Sequence, residues 1–237
     1  MARGKIRTPE QVPEYMKVNA NPPLKTTYIR FLAGVNGETV NRLLKAVDDG
    51  IRNGSKRFHI LISSPGGSVF HGLSAYNYLK GLPVEIVTHN FGSVDSIGVV
   101  LYSAGARRLS VPHARFLIHG VRSQFVAGAS LEEPQLEERL KGMRIDIENI
   151  AGVIAATTSK SEDEITQMML DRTTLSPEEA LDLGLVHELN EQLMPEGATL
   201  VIIEDASGEI QPGQNLPPQV RAILNQPPPT VRAEVLN

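Results

Sequence analysis

The chain has 237 residues, of which 41% are hydrophobic and 21% charged, so it can bury the core of one ordinary domain and carry additional segments. Its formal net charge of −4 excludes the broad basic surface that nucleic-acid binding requires. Cysteine is absent, which excludes disulfides, cysteine-based zinc sites and a cysteine nucleophile.

The first segment, residues 1–24, is rich in proline and has little apolar periodicity, so we predict an extended arm. Its start is basic, but the apolar stretch of a secretory signal does not follow. No later segment approaches the roughly 20 apolar residues of a membrane span. We therefore expect a cytoplasmic protein that makes no membrane contact.

Strands and helices then alternate along the chain. A short strand at residues 28–32 precedes a helix whose apolar side chains recur three and four residues apart over residues 40–51. A second strand at 59–62 leads to a helix at about 69–79, and a third strand follows at 84–88. This alternation predicts βαβ units with parallel strands.

A long helix is predicted between residues 131 and 158. Its apolar side chains recur in steps of four and three and form a stripe, namely Leu136, Leu140, Met143, Ile147, Ile150 and Ile154. Such a stripe packs either into the core of its own subunit or against another subunit, and periodicity alone leaves both interpretations open.

The last part of the chain changes in composition after about residue 190. Before this point, a serine cap and acidic residues in the first turn predict a helix at 176–183. After it, a lone strand at 199–203 is followed by a tail rich in glycine and proline. We therefore expect a domain at residues 25–190 and a C-terminal extension at 191–237.

Two segments of small residues follow apolar strands, S-S-P-G-G-S at 63–68 and G-S-V-D-S-I-G at 92–98. A serine hydroxyl is a weak nucleophile at neutral pH, so it requires a base within hydrogen-bond reach and donors for the oxyanion. Ser96 is the candidate nucleophile, His119 the candidate base, and the N–H of Gly67 a candidate donor. The three residues together predict acyl transfer.

Each of these residues also has a structural interpretation. Ser96 precedes a helix-like run and is equally typical of a capping serine, and His119 ends an apolar strand, where a histidine is often structural. The other histidines show no metal-ligand spacing, so we expect neither a metal nor a cofactor. Phosphate-binding glycine motifs are absent, and Val94 breaks the G-x-S-x-G pattern of the α/β-hydrolases.

Four motifs occur in a characteristic order: S-P-G-G, G-x-x-x-S-x-G, a strand ending in I-H, and E-A-x-x-x-G-L-V. In this combination the chain resembles the Clp protease proteolytic subunit family, from about residue 27 to 190. The resemblance implies an α/β fold of the crotonase-like type, built from repeated ββα units with a long protruding handle helix. It also implies serine peptidase chemistry in a ring-shaped homo-oligomer, possibly a double ring.

The resemblance assigns roles to individual positions of this chain. It implies Ser96 as nucleophile, His119 as general base, Gly67 and Ile97 as the N–H donors of the oxyanion hole, and Gly66 and Gly128 as substrate-binding residues. The segment around Gly128 resembles the family's substrate-aligning strand.

The third member of the expected triad departs from the family pattern. Ungapped alignment puts Arg172 at the position of the family's aspartate and Asp171 one residue too early. Either a local backbone shift lets Asp171 orient His119, or the protein uses a Ser–His dyad with another acid or a water. Replacing the acid of a serine protease typically costs about 10⁴ in turnover.

The expected function is therefore hydrolysis of peptide bonds through an acyl-enzyme. The same residues would also cleave esters, which are easier substrates than amides. An acyl-CoA enzyme of the crotonase type is a further alternative, which the Ser–His pair disfavours. An inactive scaffold subunit is another, because of Arg172. Docking to an ATP-dependent unfoldase is in doubt, since the N-terminal arm does not resemble the family's axial loop.

Overall fold

The computed structural model describes residues 24–123 and 130–205. The N-terminal arm, most of the C-terminal tail and Gly128 therefore lie outside the described residues. The elements in chain order are β1 Thr26–Leu32, α1 Gly37–Arg52, β2 Arg57–Ser64, α2 Val69–Gly81, β3 Glu85–Asp95, α3 Ile97–Tyr102, β4 Arg107–Ser110, β5 Arg115–Leu117, α4 Glu133–Ala155, α5 Glu162–Asp171, β6 Thr174–Leu175, α6 Pro177–Asp182, β7 Glu188–Leu189 and β8 Leu200–Glu204.

The strands form one sheet with the order β6-β5-β3-β2-β1-β8, and β4 and β7 extend it beside β3. Every pairing is parallel except that of β5 with β6. The predicted α/β class with parallel strands is thus confirmed. Such strands are covered on both faces, which explains the nearly continuous apolar run in β2.

Strand β3 is longer than its predicted range of 84–88, because small polar residues after Thr88 read as a loop. In the structure its first half pairs with β4 through Val87–Asn90, and its second half pairs with β5 through Ser93–Asp95. Strand β3 therefore pairs with both β4 and β5, and it ends at Asp95, immediately before Ser96.

Helices cover the sheet with the apolar faces that the sequence predicts. Asn36 and Thr39 form a capping box at the start of α1, and Val40, Leu43 and Val47 are buried in the core. Helix α5 was not predicted, although Ser161 caps it. Among the described residues, no helix is long and apolar enough to cross a membrane.

The long helix α4 is buried only near its C-terminal end, at Ile150, Ala151 and Ile154. Its earlier turns are exposed, and Leu136, Leu140 and Ile145 each expose nearly half of their surface. In the predicted stripe, Ile150 and Ile154 therefore lie in the core of this chain, whereas Leu136 and Leu140 are not covered by any of the described residues.

The C-terminal strand β8 is part of the main sheet. It pairs in parallel with β1 along its whole length, from Tyr28↔Leu200 to Leu32↔Glu204. The strand that the sequence places in a C-terminal extension is thus an edge strand of the sheet.

Candidate active site

The glycine loop after β2 is fixed by main-chain hydrogen bonds to Val35. The Val35 N–H donates to the Gly66 carbonyl at 2.8 Å, and the Ser68 N–H donates to the Val35 carbonyl at 2.7 Å. In such a parallel bridge the N–H of the central residue, Gly67, points away from Val35. A Cβ on Gly67 would lie 2.3 Å from the Val35 oxygen, so only glycine fits here.

Ser96 occupies the turn between β3 and α3 in a strained conformation. Its φ of 59° lies in a region that non-glycine residues rarely adopt, and such residues concentrate at functional sites. Its N–H donates to the Leu117 carbonyl at 2.7 Å. Although Ser96 is the N-cap residue of α3, its side chain makes no capping hydrogen bond. The Ser96 hydroxyl therefore does not cap α3.

The glycine loop and Ser96 lie in direct contact. A Cβ on Gly66 would lie 2.6 Å from the Ser96 Cβ, and Gly66 has a φ of +85° that favours glycine. Ile97 is the first residue of α3, where backbone N–H groups have no partner within the helix. Gly67 directly follows Gly66, and Ile97 directly follows Ser96, so both N–H groups belong to the two chain segments that meet here.

His119 follows β5, the strand that pairs with the end of β3 through Asp95↔Leu117. Its Nδ1 lies 2.7 Å from the carbonyl oxygen of Gly120. Burial lowers the pKa of His119, and the positive charges of Arg172 and Arg122 lower it further. Among the described residues no hydrogen bond joins Ser96 and His119, a common situation in unliganded serine enzymes.

Asp171 is not placed at His119. It is the last residue of α5, its side chain is exposed, and Oδ1 accepts a hydrogen bond from Gln167 Nε2 at 2.9 Å. The next residue, Arg172, is the C-cap of α5 with a left-handed φ of 55°. Of the candidate site residues, the structure brings Gly66, Gly67, Ser96, Ile97 and His119 to one region, whereas the carboxylate of Asp171 is exposed and bonded to Gln167.

Asp95 is a site residue that the motif search did not single out. It accepts hydrogen bonds from Ser93 Oγ at 2.7 Å and from Arg115 Nη2 at 2.8 Å, and its side chain is 12% exposed. These bonds fix the residue immediately before Ser96 to β5. An acid directly before the candidate nucleophile is the sequence signal that would have identified it.

A resident metal has no obvious ligands here. Within residues 24–123 and 130–205, no group of three or more histidine, aspartate or glutamate side chains is arranged to hold a metal ion.

Comparison with known proteins identifies the family and the fold. The model of the Clp protease family matches residues 27–192. The chain therefore belongs to the Clp protease family. Among solved structures, a point mutant of ClpP1 from Listeria monocytogenes matches with a TM-score of 0.63 and 24% identity, over 70% of this chain and 91% of that one. This likeness confirms the ClpP-type α/β fold.

Proposed function

We propose that the protein is a serine hydrolase that cleaves peptide bonds through an acyl-enzyme. The observation that carries the proposal is the conformation of Ser96: a strained residue at a strand end, in contact with a glycine loop, with a hydroxyl free of helix capping. Membership of the Clp protease family supports peptide bonds as the substrate class.

In the proposed reaction Ser96 Oγ attacks the carbonyl carbon while its proton passes to Nε2 of His119. The resulting oxyanion accepts hydrogen bonds from the N–H groups of Gly67 and Ile97. Collapse of this intermediate breaks the C–N bond, and the imidazolium returns the proton to the leaving amine. A water then attacks the acyl-enzyme while His119 takes its proton, and the imidazolium returns this proton to Ser96 Oγ as the acid product leaves. An ester would follow the same route with an alcohol as the first leaving group.

The proposal includes a homo-oligomer held by α4. Its uncovered residues Leu136 and Leu140 lie one turn apart on the same face and would be buried by a second copy of this chain. The segment around Gly128, which precedes this helix in the sequence, is proposed to bind substrate, as the family resemblance implies.

Labelling with a fluorophosphonate probe tests the proposal. We expect an adduct on Ser96, located by mass spectrometry, that is lost in Ser96→Ala and His119→Ala. The matched control is Ser74→Ala, an exposed serine on α2, which should label like the wild type. A folded, assembled wild-type protein without an adduct would refute the hydrolase and leave the inactive scaffold, which Arg172 at the expected position of the acid favours.

A further inference from the structure

We propose that the backbone carbonyl of Gly120, and not a carboxylate, orients His119, so that the reacting unit is a Ser96–His119 dyad. The inference rests on the proposed function, since it concerns the base of that reaction. It assigns to a main-chain atom the task that an aspartate performs in a triad.

The geometry determines which nitrogen carries the proton. A carbonyl oxygen can only accept a hydrogen bond, so the 2.7 Å contact requires the proton of the neutral ring to be on Nδ1. Nε2 then holds the free lone pair and is the nitrogen available to take the proton of Ser96. The tautomer is the one that a general base in this reaction requires.

The backbone that leads to this carbonyl is held by bonds on both sides of His119. The Ile118 N–H donates to the Thr173 carbonyl at 2.8 Å, and the Gly120 N–H donates to the Met169 carbonyl at 3.0 Å. Residues 118–120 are therefore attached to the C-terminal end of α5 and the turn after it. This anchored backbone limits how far the carbonyl and the imidazole can move apart, and such support makes an orienting group effective.

The charged side chains near the imidazole do not compete for this position. Arg172 and Arg122 are cations and cannot accept a hydrogen bond from Nδ1. Asp95 is engaged by Ser93 and Arg115, and Asp171 is exposed and bonded to Gln167. A carbonyl carries only a partial negative charge, so it stabilises the imidazolium less than a carboxylate does. We therefore expect a working but slower hydrolase.

The decisive experiment is the protonation state of His119 in the assembled protein. Histidine labelled with 13C and 15N, with the His119→Gln variant for assignment, identifies the ring nitrogen that carries the proton above the pKa. We expect the proton on Nδ1, with Asp171→Asn leaving it there. A proton on Nε2 would overturn the inference, whether or not the protein labels with the fluorophosphonate.

A kinetic comparison gives an independent answer. Asp171→Asn should leave kcat/KM within about twofold of the wild type, as should the control Asp163→Asn in the exposed first turn of α5. A loss approaching the roughly 10⁴-fold typical of a triad aspartate, confined to Asp171→Asn, would show that this carboxylate orients the base. Probe labelling of Ser96 tests the proposed function separately from both results.

Discussion

At the scale of single residues, the site depends on a histidine that is kept neutral. His119 is half-buried, and burial removes solvation that the charged ring needs, which lowers its pKa. Arg172 adds a repulsive positive charge at the end of α5. A neutral imidazole is the form that accepts the serine proton in the proposed reaction, and Arg172 favours this form of His119.

Replacing Arg172 tests this electrostatic role. Removing its positive charge in Arg172→Gln favours the imidazolium, so the pKa of His119 should rise. The acid limb of the kcat/KM profile should then move to higher pH, while Arg172→Lys keeps the charge and the wild-type profile. Arg144→Gln, an exposed site on α4, controls for net charge. An acid limb that stays in place or moves to lower pH in Arg172→Gln would contradict this account.

Much of the site could be predicted at this scale from the sequence. Ser96, Ile97 and His119 stand in motifs whose order is informative, and Gly67 stands where a strand gives way to small residues. The acceptor for His119 could not be predicted, because every residue has a carbonyl and nothing in the sequence distinguishes that of Gly120. The orientation of Asp171 depends on where α5 ends, which motif spacing does not reveal.

At the scale of elements, α2 and α3 meet at a position with no space for a side chain. A Cβ on Gly72 would lie 2.2 Å from Cγ1 of Ile97, a buried side chain whose own N–H is a proposed oxyanion donor. The packing of one helix against another therefore sets the position of a backbone group in the site.

We expect Gly72→Ala to displace Ile97 and to slow fluorophosphonate labelling of Ser96 by an order of magnitude, with about 1–3 kcal/mol lost from the free energy of unfolding. Gly81→Ala is the matched control, because a Cβ at Gly81, in the last turn of α2, meets nothing within 4 Å. Labelling rate and urea unfolding are measured on both variants. Equal labelling of Gly72→Ala and wild type would refute the coupling.

Prediction at the element scale succeeded where periodicity was strong. Helices α1 and α4 lie at their expected positions, since each has apolar side chains spaced three and four residues apart. Helix α2 also lies at its expected position, between two predicted strands. Strand β4 and helix α5 were missed because each depends on its partners: β4 is four residues long, and α5 buries only Ile165 and Met169. Short elements carry too little pattern of their own and are stabilised by the surrounding fold.

At the scale of the whole molecule, α4 carries apolar side chains that the described part of this chain does not cover. Polar substitutions at Leu136 and Leu140 should therefore weaken assembly without unfolding the sheet. We expect Leu136→Ser/Leu140→Ser to shift the sedimentation profile towards smaller species at micromolar concentration. Leu170→Ser, at an exposed leucine on α5, controls for the lost hydrophobic surface. An unchanged profile in the double variant would exclude α4 as the contact.

The hydrogen bonds that shape the site come mainly from the peptide backbone. Val35 holds the glycine loop, the Leu117 carbonyl holds the N–H of Ser96, and the Gly120 carbonyl contacts the imidazole. Peptide groups persist through most substitutions, so evolution can alter the side chains around such a site without dismantling it. A survey that judges activity by whether a triad is complete would class chains of this kind as inactive. A better criterion for such chains is whether the sequence keeps the glycines of the loop, Gly66 and Gly67, and the turn at Ser96.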